Sequence, residues 1–367
     1  MKSNIKASKK AHISLHLTNV LGRGAKNVIY PFLVNFLQKN FFEIDYLYLS
    51  KHSDTLEFSN LIKRKKLFFY KRYLSNIFSR FFEIILFKPK KNSDYFIVLG
   101  DIPISHHKNQ IIFLHSTLIV QSIKDHNLFL KFKYLILRLL FSYNSKYIKL
   151  IFVQTQVMKS LLLTKYPNLN VEVLPPPCLD IYRKNKSLIV KKKYNKRSKL
   201  VGFYPASYYH HKMHHYLAAI NFQQLPIKKI ILSINPENNP NPDTELIECL
   251  GDLSNKETLK NYLTSDFLLF LSCSESYGLP LIEAMTLNIP IICPDLPYCW
   301  ELCLDQAIYF EPSNFSRSIP KSIIELKNKL IIGWRPDYSL CLKHISRDWD
   351  VYSTNVASKI FKLKDLE

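Results

Sequence analysis

Short apolar runs alternate with longer, helix-patterned segments along this chain, and the alternation occurs twice. In the first half HISLHLT (12–18), IDYLYLS (44–50), DYFIVLG (94–100), IIFLHST (111–117) and LIFVQT (150–155) read as strands. VIYPFLVNFLQKN (28–40) and residues 127–143 between them read as helices. A charged, low-complexity stretch, RKNKSLIVKKKYNKRSK (183–199), interrupts the pattern. It then restarts with LVGFYPA (200–206), KKIILSI (228–234), DFLLFLS (266–272) and PIICPD (290–295). Strands separated by helices are joined by crossovers, and crossovers make parallel sheets. The expectation is an α/β chain of two doubly wound domains. Residues 1–182 form the first, 183–199 the linker and 200–343 the second, with a ligand cleft at the carboxyl ends of the strands.

At 367 residues the chain is long enough for two cores. Lys and Arg number 51 against 29 Asp and Glu, a formal net charge of +22. That balance favours a phosphate-bearing substrate, an anionic membrane surface or nucleic acid. Abundant Lys, Asn, Ile, Tyr and Phe with only 7 Gly would also follow from AT-rich coding. Seven cysteines, an odd number with no C-x-x-C pair, and an N-terminus without an apolar core predict reduced thiols in a cytosol. Cys299 and Cys303 are spaced to share a helical face, but no second ligand pair accompanies them, so core or surface thiols are expected rather than zinc ligands. No run reaches the ~18 uncharged apolar residues of a membrane-spanning helix.

The stretch DFLLFLSCSESYGLPLIEAMTL (266–287) concentrates the chemistry. A strand runs into the polar turn CSESYG, and Pro280 suits the first turn of a helix, where its missing N–H costs nothing. Asn288 and Pro290 stop that helix. Gly278 lets backbone amides approach a ligand, and the helix N-terminus offers free N–H groups to an anion. Glu275 lies before the helix and Glu283 within it, so both carboxylates can face one pocket. A sugar nucleotide meets these demands. Equally, Glu283 could complement the helix dipole and Glu275 cap the turn.

ESYGLPLIE (275–283) resembles the E-x7-E signature of retaining glycosyltransferases of the GT-B fold, of the family 4 (glycosyl transferases group 1) type. Residues 266–312 resemble that family's donor-domain pattern throughout, and residues 153–180 resemble the stretch before its interdomain crossover. The resemblance implies two Rossmann-like domains facing each other across a cleft. Residues 344–367 would cross back to the first domain. It implies that Glu283 binds the nucleotide ribose and Glu275 the donor sugar's hydroxyls. Tyr277, Gly278, Leu279 and Pro280 would contact diphosphate and sugar. Lys212 matches the family's diphosphate-binding Lys. The companion Arg position falls near Ala206 and is not Arg; Ser207, His211 or a distant Lys would have to substitute. His115 resembles the active-site histidine, and Gly22 and Gly24 the Gly-rich turn after the first strand. A packed histidine and a bare tight turn are the plainer readings of those residues. As a dinucleotide fingerprint GRGAKN fails, because Asn27 stands where Gly is needed. Glu301 matches an acidic family position and is expected to be structural.

HHKMHH (210–215) would place His211 and His215 one helical turn apart; with no carboxylate nearby, a solvated helix start is expected there and no metal or other cofactor. In the first domain KRKKLFFYKRYLSNIFSRFF (63–82) interleaves Lys63, Arg64, Lys65, Lys66, Lys71 and Arg72 with Phe68, Phe69, Tyr70 and Tyr73. A basic, aromatic helix suits an anionic membrane surface presenting a lipid-linked acceptor. A solvated basic helix with a core-facing aromatic stripe is the alternative. No nucleic-acid-binding motif is present.

The expected activity is therefore transfer of a sugar from a nucleoside diphosphate sugar to a saccharide or lipid-linked saccharide, in bacterial surface polysaccharide synthesis such as O-antigen or capsule. The expected location is cytoplasmic, peripheral on the inner face of the membrane. The competing reading is a catalytically weak GT-B module that binds a sugar nucleotide or a partner glycosyltransferase. An epimerase or phosphorylase on the same fold is a third; no pyridoxal-phosphate lysine motif supports the phosphorylase.

Overall fold

The structure, a computed structural model, describes residues 10–18, 20, 22–50, 56–70, 77–121, 128–189 and 192–364. The chain divides into two compact units. One comprises Met1–Pro176 with Trp349–Glu367, the other Pro177–Asp348.

Among the described residues the first unit has seven strands: β1 (His12–His16), β2 (Glu43–Ser50), β3 (Leu67–Tyr70), β4 (Tyr95–Val98), β5 (Gln110–Phe113), β6 (Ile148–Val153) and β7 (Val171–Val173). Their order is β3-β2-β1-β4-β5-β6-β7, every pairing parallel. The order reverses between β1 and β4, which makes a crevice at the carboxyl ends of those two strands. Central strands such as YFIV and QIIF are buried at every position. That is why they read as unbroken apolar runs rather than as alternating ones.

The helix Trp349–Lys364 belongs to this unit and packs on the helix Arg23–Gln38. Tyr352 meets Phe32 edge-on at 5.6 Å between ring centroids, and Phe361 stacks on Phe42 at 4.8 Å. Lys359 bridges to Glu172 at 2.8 Å. The C-terminal segment is thereby fixed by both apolar and ionic contacts.

The basic segment departs from the expectation of one helix over 63–82. Arg64–Lys66 is a single 3-10 turn, and Leu67–Tyr70 is the edge strand β3, paired to Leu47–Ser50 of β2. A separate helix covers Ile77–Leu86. A run of aromatic residues has strong strand preference, and β2 offers it a free edge. Lysines at the start of such an edge discourage further strand addition. Lys71, Arg72 and Tyr73 lie outside the described residues.

The second unit holds six strands: β8 (Leu200–Tyr204), β9 (Ile227–Leu232), β10 (Ile247–Cys249), β11 (Phe267–Leu269), β12 (Ile291–Pro294) and β13 (Ile308–Phe310). The order is β10-β9-β8-β11-β12-β13, again wholly parallel. Its reversal falls between β8 and β11. Asp266, buried at the head of β11, accepts from Lys192 Nζ (2.7 Å), Tyr194 Oη (2.8 Å) and the Val201 amide (2.7 Å). These bonds hold the charged segment that precedes β8 against this unit. Cys293, Cys299 and Cys303 are buried core thiols, and burial raises the Cys293 thiol well above its ordinary value.

Candidate donor site at the second switch point

Two loops leave the carboxyl ends of the adjacent strands β8 and β11, and the backbone stitches them together. The His211 carbonyl accepts from the Cys273 amide (3.3 Å) and from Ser272 Oγ (3.1 Å). Tyr204, fully buried at the end of β8, donates its hydroxyl to the Lys212 carbonyl at 3.0 Å. Tyr298 donates its hydroxyl to the Ser272 carbonyl. These bonds fix where Lys212 can reach. Its ammonium is ion-paired with the Glu275 carboxylate, both side chains largely shielded from solvent. A residue from each loop thus meets at the topological switch point, where open α/β sheets bind ligands.

Gly278 adopts φ +80°, a left-handed backbone that any side chain would strain, and caps the helix Leu279–Thr286. A Cβ there would lie 3.1 Å from Leu281 Cδ1. Pro280 sits in the first turn and Asn288, with φ +56°, follows the end. Tyr277 and Gly278 are buried; Leu279 and Pro280 are half-buried. Gly278, the N-cap residue, supplies no side-chain cap; Pro280 has no N–H and the Leu281 amide donates to the Gly278 carbonyl at 2.9 Å, which leaves the Gly278 and Leu279 amides to a ligand. Free amides at a helix start attract anions.

Glu283 is buried in that helix and accepts from Tyr262 Oη at 3.0 Å. The Tyr262 hydroxyl also reaches the Pro280 carbonyl at 3.3 Å. Burial first, and the Glu283 charge second, push the Tyr262 phenol well above its ordinary pKa. It therefore stays a hydrogen-bond donor at every physiological pH. Tyr262 lies 21 residues before Glu283 on another helix, Asn255–Thr264, so no local motif reveals the pair.

The histidine cluster behaves differently from the expected helix start. Met213 takes a left-handed conformation, φ +54°, and separates the 3-10 turn His210–Lys212 from the 3-10 segment His214–Ala219. His211 and His215 are consequently not successive turns of one helix. His214 turns inward, its ring 5.0 Å from that of Tyr204. Burial, and then the Lys212 charge, lower its pKa to about 4. Ala206 is buried, and Ser207 is exposed on the loop beyond it. Glu301 is half-buried on the helix Pro297–Cys303.

The remaining sequence-derived residues lie in the first unit. Gly22, φ +79°, starts the helix that follows β1, with Gly24 in its first turn. A Cβ on either would meet nothing within 4 Å. His115 follows β5. Its amide donates to Asp101 Oδ1 at 2.6 Å, and its Nδ1 lies 3.4 Å from Gln154 Nε2. Burial lowers its pKa, so the imidazole is neutral at pH 7. All three sit at the carboxyl edge of the first sheet. Lys63, Lys65 and Lys66 line a recess with Phe36, Phe42 and Glu43 at the β2 side of that sheet; Arg64 lies in the same turn.

No family model matches the sequence. A stretch of 73 residues is 34% identical to the serotype-specific mannosyltransferase WbdA of Escherichia coli, spanning 19% of this chain and 9% of that much longer protein. Solved structures match over nearly the full length. A glycosyltransferase from Rickettsia africae has a TM-score of 0.62 at 13% identity, covering 98% of this chain and 100% of that one. Anabaena HepE, in complex with UDP and glucose, has a TM-score of 0.59 at 11% identity, covering 96% and 100%. WaaG, a glycosyltransferase involved in lipopolysaccharide biosynthesis, has a TM-score of 0.58 at 10% identity, covering 95% and 99%. At such identities the likeness is one of fold. The fold is the GT-B fold of these glycosyltransferases.

Proposed function

We propose that the chain is a retaining glycosyltransferase. It would move a sugar from a nucleoside diphosphate sugar to a saccharide or lipid-linked saccharide acceptor, in the assembly of a bacterial surface polysaccharide. The observation that carries the reading is the Lys212–Glu275 pair beside a left-handed glycine and an uncapped helix start. One small area then offers a cation and free amides to a diphosphate and carboxylates to hydroxyls. The partial likeness to WbdA and the fold shared with WaaG and HepE support the same reaction class.

In this reading Glu283, oriented by Tyr262, accepts from the ribose hydroxyls. The diphosphate settles on the amides of Gly278 and Leu279, and Lys212 exchanges Glu275 for a phosphate oxygen. That exchange releases Glu275 to accept from the sugar. The bond from the anomeric carbon to the diphosphate oxygen breaks while the bond to the acceptor oxygen forms on the same face. The acceptor's proton passes to the departing phosphate oxygen. Lys212 and the amides oppose the charge that grows there. His115, a neutral imidazole, is assigned to the sugar by the family resemblance. No metal or other cofactor is required by this scheme, since Lys212 and the backbone supply the positive potential.

With Ala206 where the family pattern has Arg, Lys212 is the cation paired with Glu275 in this scheme. The test is turnover. A panel of UDP-, GDP- and dTDP-sugars is incubated with candidate acceptors, nucleoside diphosphate release is followed, and the anomeric configuration of the product is read by NMR. Release with a retained configuration supports the proposal. An inverted product refutes retention. Donor binding without turnover by any acceptor moves the weak, partner-binding module ahead.

A further inference from the structure

The helix Leu128–Asn144 of the first unit carries two apolar faces. One is spent on the core, where Leu137, Leu140 and Phe141 are buried among Ile84, Phe87 and Ile151. The other is left uncovered by the described residues. Phe132, Leu135, Leu139 and Tyr143 are between 50% and 63% exposed. At 3.6 residues per turn these four fall within an arc of roughly 80°, on the side opposite the core, along about 16 Å of helix. Single exposed apolar residues are ordinary, but an unbroken outward ridge of four large ones is not. The helix Ile77–Leu86, which packs beside it, exposes Phe82 and Leu86 one turn apart.

The charges around the ridge have one sign. Residues 128–149 contain five Lys and Arg and no Asp or Glu. Lys131 and Lys146 are exposed, and the Lys146 ammonium lies 4.5 Å over the Tyr143 ring. On the neighbouring helix Glu83 is buried, and exposed Lys88 and Lys90 follow its end. A second copy of this chain is a poor occupant, because a self-complementary contact would set these lysines against one another. A nucleic acid would leave the aromatic and leucine ridge in water. An anionic bilayer answers both features: the ridge enters the acyl boundary while the lysines stay among the headgroups.

We propose that this face of the helix Leu128–Asn144 docks the first unit flat on an anionic lipid surface, with Phe132, Leu135, Leu139 and Tyr143 as the inserted residues. No helix among the described residues is long and apolar enough to cross a membrane, so the attachment is interfacial. The site differs from the Lys63–Arg72 segment that the sequence offered as one of two readings, and it does not depend on which reaction the second unit performs.

Flotation of the full chain with phosphatidylcholine vesicles and with phosphatidylglycerol-rich vesicles tests it, since neither donor nor acceptor is needed. Wild type should float with the anionic vesicles. Leu135→Glu with Leu139→Glu should lower that partition about tenfold or more, with an unchanged thermal melt because both side chains are exposed. Lys131→Glu with Lys146→Glu should lose binding to the anionic vesicles alone, and less so at high salt. Phe132→Ser gives a second, milder probe if the double leucine variant melts early. Wild type that does not float, or a leucine variant that floats equally well, overturns the proposal. So does a wild-type dimer in light scattering that Leu139→Glu dissolves, which would make the ridge a protein interface.

Discussion

Removing the Tyr262 hydroxyl should separate holding Glu283 in place from merely filling the core. Tyr262→Phe deletes one oxygen that stands 3.0 Å from Glu283 Oε2 and 3.3 Å from the Pro280 carbonyl. The ring contacts, edge-on to Phe203 at 5.1 Å and to Tyr182 at 5.9 Å, are retained. A hydrogen bond to a buried charged group contributes about 1.5–3 kcal/mol, so the second unit should lose about 2 kcal/mol of stability. Donor affinity should fall as well, by about tenfold, because a carboxylate freed from its orienting donor samples other rotamers. Urea unfolding gives the first quantity and titration calorimetry with the preferred nucleotide sugar the second. Tyr352→Phe in the first unit removes a similarly buried hydroxyl and serves as control; it should leave donor affinity unchanged. If Tyr262→Phe loses stability yet binds donor within about twofold of wild type, the hydroxyl supports only the fold, and its role at the site is refuted.

Three further outcomes follow from the same geometry. Lys212→Ala should cut kcat/KM for the donor by about a hundredfold or more, and Lys212→Ala with Glu275→Ala should cost less than the sum of the single losses, because the two side chains share one ion pair; strict additivity in steady-state kinetics would count against the exchange of partners. His214 has a folded pKa of about 4 against 6.5 when unfolded, so between these values the unfolded chain binds more protons. Stability of the second unit should be full above pH 6.5 and decline by about 3 kcal/mol as the pH falls to 4, and His214→Gln should flatten that slope in urea titrations. Gly202→Ala would bring a Cβ to 2.6 Å from Phe267 Cζ and 2.7 Å from Ile230 Cδ1; overpacking of this kind costs about 1–3 kcal/mol, read as a lowered melting midpoint.

The central strands were legible because burial on both faces writes itself as an apolar run. LVGFY, FLL and IICP, now β8, β11 and β12, fall within the runs that the sequence singles out. The helix over 279–286 was legible from its punctuation, Gly278 and Pro280 before it and Asn288 after it. The edge strands β10 and β13, three residues each, carry too little pattern to stand out from loops. β3 was hidden differently: its aromatic residues sit among lysines, and a helix and an edge strand are both compatible with that mixture. The left-handed Met213 that breaks the histidine cluster has no sequence signal, since a β-branched or bulky residue rarely takes that backbone and methionine is no exception. At the candidate site, Glu275 and Glu283 stand out by their spacing around a turn and a helix start, and the family resemblance points to Lys212. Their supporting tyrosines, 204, 262 and 298, carry no such signal. Each donates across the fold to a loop or helix that only the strand order brings near.

Calorimetric titration of wild type and Glu283→Ala with a panel of UDP-, GDP- and dTDP-sugars tests the donor-site assignment most directly. The account predicts selective binding of one nucleotide class by wild type, weakened at least about tenfold in a Glu283→Ala protein that remains folded by circular dichroism. Equal binding by the two proteins would contradict the assignment of the nucleotide to Glu283. Binding of no donor by wild type would contradict the donor site itself.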